Sequence, residues 1–275
     1  MGRYNRQNIA TDTLQCLEQG YFNSPTGETI NIKETQDFAV ANTITYSPAM
    51  TDELLQNRSS KTLETPTEIE VTNETSLNAT RRLINEGHTD VVCLNFASAR
   101  NAGGGFLGGS QAQEESIARA TGLYPSLMQA SDYYEINRKF KSCFYTDYMI
   151  YSPKVPILKD EEGNCLEALV TASFITAPAV NTGIVKQREP KRLKKIEEVM
   201  KRRIEKVLAI ALEHGHKSII LGAWGCGVFQ NNPDDIARYF KEVIEGKFKN
   251  QFRKITFAIY ASNERFIKPF QEAFA

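Results

Sequence analysis

The chain has 275 residues, 41% of them hydrophobic, and its 33 Lys and Arg balance 33 Asp and Glu. That is enough for one large or two small domains with a sizeable core, and it excludes an overall basic field for holding nucleic acid, so a polyanionic ligand has to be gripped locally. Five cysteines without a CxxC pair and only three histidines argue against a disulfide framework or a zinc site and for reduced thiols in a cytoplasmic-type compartment, while no apolar run or leader predicts a membrane span or secretory signal.

Residues 5–20 predict a helix, with Ile9, Leu14 and Leu17 on its apolar face and Gly20 ending it. Pro25-Thr26-Gly27 is a turn, and the alternation over Glu28–Lys33 predicts a short strand. Residues 34–60 read as a short helix and a loop around Ser47-Pro48. The polar stretch Ser59–Pro66 reads as a linker. From Glu68 the rhythm is strand then helix. Ile69 and Val71 mark a strand, and Thr75 caps a helix with Leu77, Leu83 and Ile84 facing inward, ended by Gly87. Asp90–Asn95 is a buried strand, followed by a glycine-rich loop and a helix beginning near Gln113.

Asp132–Lys141 looks helical. Tyr148–Leu158 reads as two short strand pieces punctuated by Pro153 and Pro156, and Asp160–Asn164 as an exposed turn. Leu169–Thr176 is a buried strand stopped by Pro178, and Lys191–His214 is the clearest helix. The charges from Lys186 to Arg203 read as a solvated helix face. Ser218–Gly222 is a strand, Pro233–Gly246 a helix with Pro in its first turn, Ile255–Tyr260 a strand, and Asn263 opens the last helix. Strands alternating with helices predict an α/β sheet covered on its faces, with ligands beyond the carboxyl ends of the strands.

Two loops occupy that position. The first carries Gly103-Gly104-Gly105 and Gly108-Gly109, then Gln113-Glu114-Glu115. Glycines after a buried strand favour a ligand loop over a flexible surface loop, because bare backbone N–H groups form an anion site. No GxxxxGK[ST] is present, and a phosphate loop needs no acid pair behind it. Glu114 and Glu115 are equally readable as ordinary acids complementing a helix N-terminus. The second loop is Ala223–Asn232, where Gly225 and Gly227 flank Cys226. It reads as an anion loop rather than a capping turn. Cys226 is better taken as a small buried thiol than as a nucleophile, since no histidine is near it in sequence. Tyr133, Tyr134 and Phe266 are candidates to stack on a base, although aromatic residues are usually core.

The triple glycine, seven further residues and then Gln-Glu-Glu, after a strand reading LNFASA, resemble the catalytic loop of the poly(ADP-ribose) glycohydrolases, in particular the microbial type built on a macrodomain. Leu221–Phe229 resembles that family's diphosphate loop, and Tyr46-Ser47-Pro48 and Val71–Thr75 extend the resemblance over essentially the whole chain. One departure is Ala102, where much of the family is expected to carry Pro. The resemblance implies a macrodomain-like, three-layer α/β/α fold with a central mixed sheet. It also implies an N-terminal helical extension over residues 1–65 that caps the terminal ribose, ahead of a catalytic domain over 66–275.

The implied activity is hydrolysis of the ribose–ribose O-glycosidic bond of poly(ADP-ribose), from chain ends, releasing ADP-ribose. Glu115 is then the general acid and base, Glu114 holds ribose hydroxyls and Gln113 orients the acids. The backbone of Gly103, Gly104, Gly105, Gly225, Cys226, Gly227 and Val228 encloses the diphosphate, and Phe229 packs on the distal ribose. No metal or other cofactor is implied, and the partner is poly(ADP-ribose) or ADP-ribose rather than nucleic acid or a membrane. A non-catalytic ADP-ribose-binding macrodomain and a hydrolase of mono-ADP-ribosylated substrates are the alternatives. An intact Gln-Glu-Glu speaks against the first.

Overall fold

The computed structural model describes residues 1–58 and 62–275; of the expected linker Ser59–Pro66, residues 59–61 lie outside the described residues. The first helix, α1 (Arg3–Gln19), ends where Gly20 takes φ +82°, a left-handed cap that suits glycine. A small hairpin, β1 (Tyr21–Asn23) and β2 (Thr29–Asn31), follows, and only its second strand is visible in the sequence. After α2 (Lys33–Ala41) comes a three-residue strand, β3 (Ile44–Tyr46), and then α3 (Pro48–Asn57). The expected loop at Ser47-Pro48 is in fact a helix start. Ser47 Oγ accepts from the Met50 N–H, and Pro48 sits at the first helical position, where its missing N–H costs nothing.

The sheet then builds through β4 (Glu68–Thr72), α4 (Ser76–Asn85) and β5 (Val91–Phe96). Past the glycine loop come α5 (Gln113–Ala120), α6 (Leu123–Gln129), which the sequence reading missed, and α7 (Ser131–Lys139). The hairpin of β6 (Met149–Lys159) and β7 (Cys165–Ala177) is followed by α8 (Thr182–Arg188) and α9 (Ile196–Glu213). The chain closes with β8 (Ser218–Leu221), α10 (Pro233–Glu245), β9 (Lys254–Ala258) and α11 (Glu264–Ala273).

Seven strands form one mixed sheet in the order β3-β6-β7-β5-β8-β9-β4. The pairs from β7 to β4 are parallel, and β6 and β3 are antiparallel. The expected split at Pro153 and Pro156 is instead a single strand. A register shift between Ser152 and Val155, with Lys154 at φ +46°, absorbs Pro153. Beyond Tyr151 the strand β3 no longer covers the far edge of β6, so Pro156 is tolerated there. One core lies against α9, α10 and α11 and includes Val207, Phe240 and Phe257. The second lies on the other face against α4, α5 and α6 and includes Leu83, Ile117 and Leu127. All five cysteines are free. Among the described residues no helix is long and apolar enough to cross a membrane.

The solvated-face reading of Lys186–Arg203 fails at its end. Arg203 is 1% exposed. Its Nε donates to Asp147 Oδ1 at 2.9 Å, and its other nitrogens donate to the carbonyls of Phe144, Tyr145 and Pro178. Arg202 and the buried Lys206 complete the ring around Asp147. Their charges and hydrogen bonds hold its carboxyl far below the usual range despite burial. A charge is stable at that depth because every side of it is paired. This knot fixes the 144–147 loop to the end of β7. Arg203→Ala leaves three carbonyls and one side of Asp147 without a donor, and is expected to cost about 3–5 kcal/mol in denaturant unfolding. A loss below about 1 kcal/mol would show that Arg202 and Lys206 suffice.

Candidate active site

The strands β4, β9, β8, β5 and β7 run parallel, so their carboxyl ends share one edge of the sheet. The loops leaving that edge enclose a cleft of about 490 Å³. Thr75, Ser76, Phe96, Gln113 and Ala223–Phe229 are among the residues that line it. The sheet topology alone places a ligand here.

At the start of α5, Gln113 spends its amide on the end of β5. Its Oε1 accepts from the Phe96 N–H at 2.8 Å, and its Nε2 donates to Leu94 O and Ser76 Oγ. It fixes where the helix begins, while its flank still lines the cleft. Glu114 turns inward and is 3% exposed. Its Oε2 accepts from the Ser98 N–H at 2.6 Å, and Asn95 reaches Oε1 at 3.4 Å. Glu115 is only partly buried, and its Oε1 accepts from the Gly105 N–H at 3.0 Å.

The glycines explain how two adjacent helical residues come to face one place. Gly104 has φ +60°, and a Cβ built on it would lie 2.4 Å from Glu115 Oε1 and 3.1 Å from Glu114 Oε2. Both carboxyl groups therefore converge on a backbone that has no room for a side chain. Burial pushes the Glu114 carboxyl up to about 8; the Ser98 N–H opposes the rise and the neighbouring charge of Glu115 adds to it.

The loop is gripped from behind by α1. Arg3 Nε donates to Gly108 O at 2.7 Å, and Arg6 Nε donates to Gly109 O at 2.8 Å. Thr13 Oγ1 donates to Arg119 O. Ala10 packs with Phe106 and Ala118 beneath. Arg119, buried in α5, donates to Ser110 O, Gln111 Oε1 and Ser116 Oγ.

The structure thus sorts the sequence-derived residues into two groups. Gln113 and Gly225, Cys226, Gly227, Val228 and Phe229 line the cleft. Gly103, Gly104 and Gly105 instead wrap the two carboxyl groups beside it. Gly225 (φ +75°) is pressed against Asn231, whose Nδ2 donates to Val180 O and Gly225 O, and whose Oδ1 accepts from Thr182. Asn231 is buried and staples the second loop; nothing in the sequence marked it. Burial raises the Cys226 thiol far above its ordinary range, which leaves it an inert thiol. Phe229 meets Tyr145 with ring centroids 6.0 Å apart. Tyr145 itself is held at φ +56° by the Arg203 knot. Tyr133 and Tyr134 do not reach the ligand space: both are buried in the core, whereas Phe266 lines the cleft.

The family model "Microbial-type PARG, catalytic domain" matches residues 10–160. Poly(ADP-ribose) glycohydrolase (PARG) from Thermomonospora curvata superposes with a TM-score of 0.95 at 38% identity, covering 98% of this chain and 100% of that one. The same protein bound to the inhibitor ADP-HPD gives 0.92 at 37%, with 98% and 100% covered. The Deinococcus radiodurans glycohydrolase in complex with ADP-ribose gives 0.83 at 40%, covering 89% of this chain and 98% of that one. No curated protein matches the chain.

Two measurements test this geometry. Gly104→Ala puts a methyl into the carboxylates at a left-handed φ, so turnover should fall at least about 100-fold in folded protein; near-normal turnover would mean that the pair does not depend on this contact. A carboxyl raised on folding stabilises the native state fully below its unfolded value of 4.5 and loses that contribution as pH rises to about 8. The melting temperature of Glu114→Gln should therefore fall less than that of the parent between those pH values. Parallel curves would refute the buried, protonated Glu114. The matched model and the near-complete overlap with solved glycohydrolases agree with the convergent carboxyl pair, and the chain belongs to the microbial-type poly(ADP-ribose) glycohydrolase family.

Proposed function

We propose that this glycoside hydrolase works on poly(ADP-ribose) from chain ends, with Glu115 moving the proton and Glu114 holding the sugar. Family membership makes it a poly(ADP-ribose) glycohydrolase; the division of labour among its residues is our reading. The observation that carries it is the convergence on Gly104 of Glu114 and Glu115, next in sequence to Gln113, which lines the cleft together with the second loop.

Cleavage needs a proton on the leaving ribose oxygen, since an alkoxide leaves badly. Two acids this close do not both ionise freely, so the pair retains one proton near neutral pH. Burial favours that proton on Glu114. We assign its delivery to Glu115, the more exposed member, which takes the proton over from Glu114 and passes it to the leaving oxygen. As the C–O bond breaks, the anomeric carbon takes on oxocarbenium character. Glu115, now a carboxylate, then removes a proton from the attacking water. Glu114 keeps its position through Ser98 and Asn95 and binds ribose hydroxyls. The N–H groups of Gly225–Val228 face the diphosphate, and Phe229, braced by Tyr145, packs on the distal ribose. Residues 1–65 form the segment that favours chain ends. The position of α1 directly behind the catalytic loop supports that reading.

Glu115→Gln keeps size but cannot deliver a proton. Single-turnover release of ADP-ribose from polymer should fall about 10²–10⁴-fold, with ADP-ribose affinity preserved. Glu114→Gln retains an acceptor and should lose less. Near-normal cleavage by Glu115→Gln with loss in Glu114→Gln would reverse the roles. Gel analysis of long polymer should show monomer from the earliest time points; early shortening to mid-length chains would overturn the preference for ends.

A further inference from the structure

The charges that begin at Lys186 are solvated at their start, as the sequence reads, and the mechanism uses none of them. Residues 186–195, the end of α8 and the turn Pro190–Lys195, carry Lys186, Arg188, Lys191, Arg192, Lys194 and Lys195 against one acid, Glu189. A second basic run, Arg138-Lys139-Phe140-Lys141, ends α7. Glu189 joins the two. Its carboxylate accepts from Ser142 Oγ at 2.7 Å and from the Cys143 N–H at 3.2 Å, and it pairs with Arg192. The acid of this surface is therefore spent on holding the two runs together.

The cations of both runs are exposed, except Arg192, which is half-buried. Lys139 meets Glu135 at 3.9 Å; apart from that contact and the Arg192–Glu189 pair, none of them forms an ion pair among the described residues. The next acids along the chain, Glu197 and Glu198, face Lys201, Arg238 and Arg202 instead. Like charges left unpaired side by side repel one another, and a polyanion that neutralises them relieves the repulsion and releases its own counterions. The chain as a whole is neutral, so this concentration is local. Phe140 stands among the cations 37% exposed, a flat apolar face of the kind on which bases stack between phosphate contacts.

Position selects the polyanion. Gly183, at the start of α8, donates its N–H to the Phe229 carbonyl at 3.0 Å. Phe229 meets Tyr145, the Arg100 guanidinium lies 6.0 Å from the centre of the Tyr145 ring, and Arg138 donates to the Arg100 carbonyl at 2.9 Å. Both runs are thus connected by direct contacts to Phe229 and to the start of the glycine loop. In the reading above Phe229 packs on the distal ribose, whose anomeric carbon carries the bond to be cut. Beyond that bond lies the rest of the polymer, with two phosphates in every unit, and it leaves the cleft at this end. We propose that the surface formed by Arg138–Lys141 and Lys186–Lys195 binds the phosphates of the polymer beyond the bond being cut, as a second site that the released ADP-ribose does not touch. This inference rests on the glycohydrolase reading above.

The test removes three exposed lysines of the full chain together, Lys191→Ala with Lys194→Ala and Lys195→Ala. A control variant, Lys217→Ala with Lys247→Ala and Lys249→Ala, removes equal charge at the opposite edge of the sheet, where β8 and β9 begin. Release of ADP-ribose is followed over a salt series from purified long polymer and from the ADP-ribose dimer. On long polymer the first variant should lose about ten-fold in kcat/KM at low salt, keep its kcat, and show a shallower fall as salt rises. On the dimer the loss should be smaller, and calorimetric affinity for ADP-ribose and the melting temperature should stay at the parent's values. The control variant should match the parent throughout. Unchanged kcat/KM on long polymer, an equal loss on the dimer, or an equal loss in the control variant would overturn the proposal. Loss of single-stranded RNA binding with long-polymer kinetics unchanged would assign the surface to nucleic acid instead. Failure of the parent to release ADP-ribose from any polymer would overturn the reading on which the inference rests.

Discussion

The site depends on one steric constraint: two carboxyl groups occupy the space that a side chain on Gly104 would need. Backbone and acid are packed against each other, so neither can be repositioned alone. Ser98 and Asn95 hold Glu114 from the strand side, and Gly105 holds Glu115 from the loop side. The loop is in turn kept in place by Arg3 and Arg6 reaching its carbonyls from α1. The positions of both carboxyl groups are thereby fixed during folding.

The same constraint changes the electrostatics of the cleft. A ligand bearing a diphosphate approaches a pair of acids, which would repel it if both were ionised. Burial of Glu114 removes one of those charges near neutral pH. The second loop, which we propose meets the diphosphate, carries no charged side chain. Asn231 shapes that loop without contributing charge, consistent with a chain whose overall charges cancel.

Much of this was legible locally. The run from Val91 to Leu123 showed strand, glycine loop and acid-led helix, and Thr75 and Asn263 declared their helix caps. What was not legible depends on distant partners. Ile44–Tyr46 is a strand only because Met149–Tyr151 pairs with it. The Ser47-Pro48 helix start was readable from capping chemistry but was taken for a loop because that strand was not seen. Arg203 looked solvated because Asp147 lies 56 positions away. Glu161 looked exposed within an acidic turn because only the tertiary fold brings Ile9, Thr75 and Ser116 to it. Tyr133 and Tyr134 carried no sequence mark that separates core from ligand platform.

Both edges of the main sheet come from the first part of the chain. One edge strand, β3, waits for β6, and the other, β4, pairs among the described residues with β9 alone, whose residues begin at Lys254. During synthesis, therefore, Glu68–Thr72 leaves the ribosome long before its only partner exists. β4 can join the sheet only after β9 is made, whereas β3 needs only β6. Folding of this kind is slowed by loop closure over most of the chain, and it exposes an unpaired strand meanwhile. The charged residues Glu68 and Glu70 in that strand act as gatekeepers against pairing with another copy during the wait.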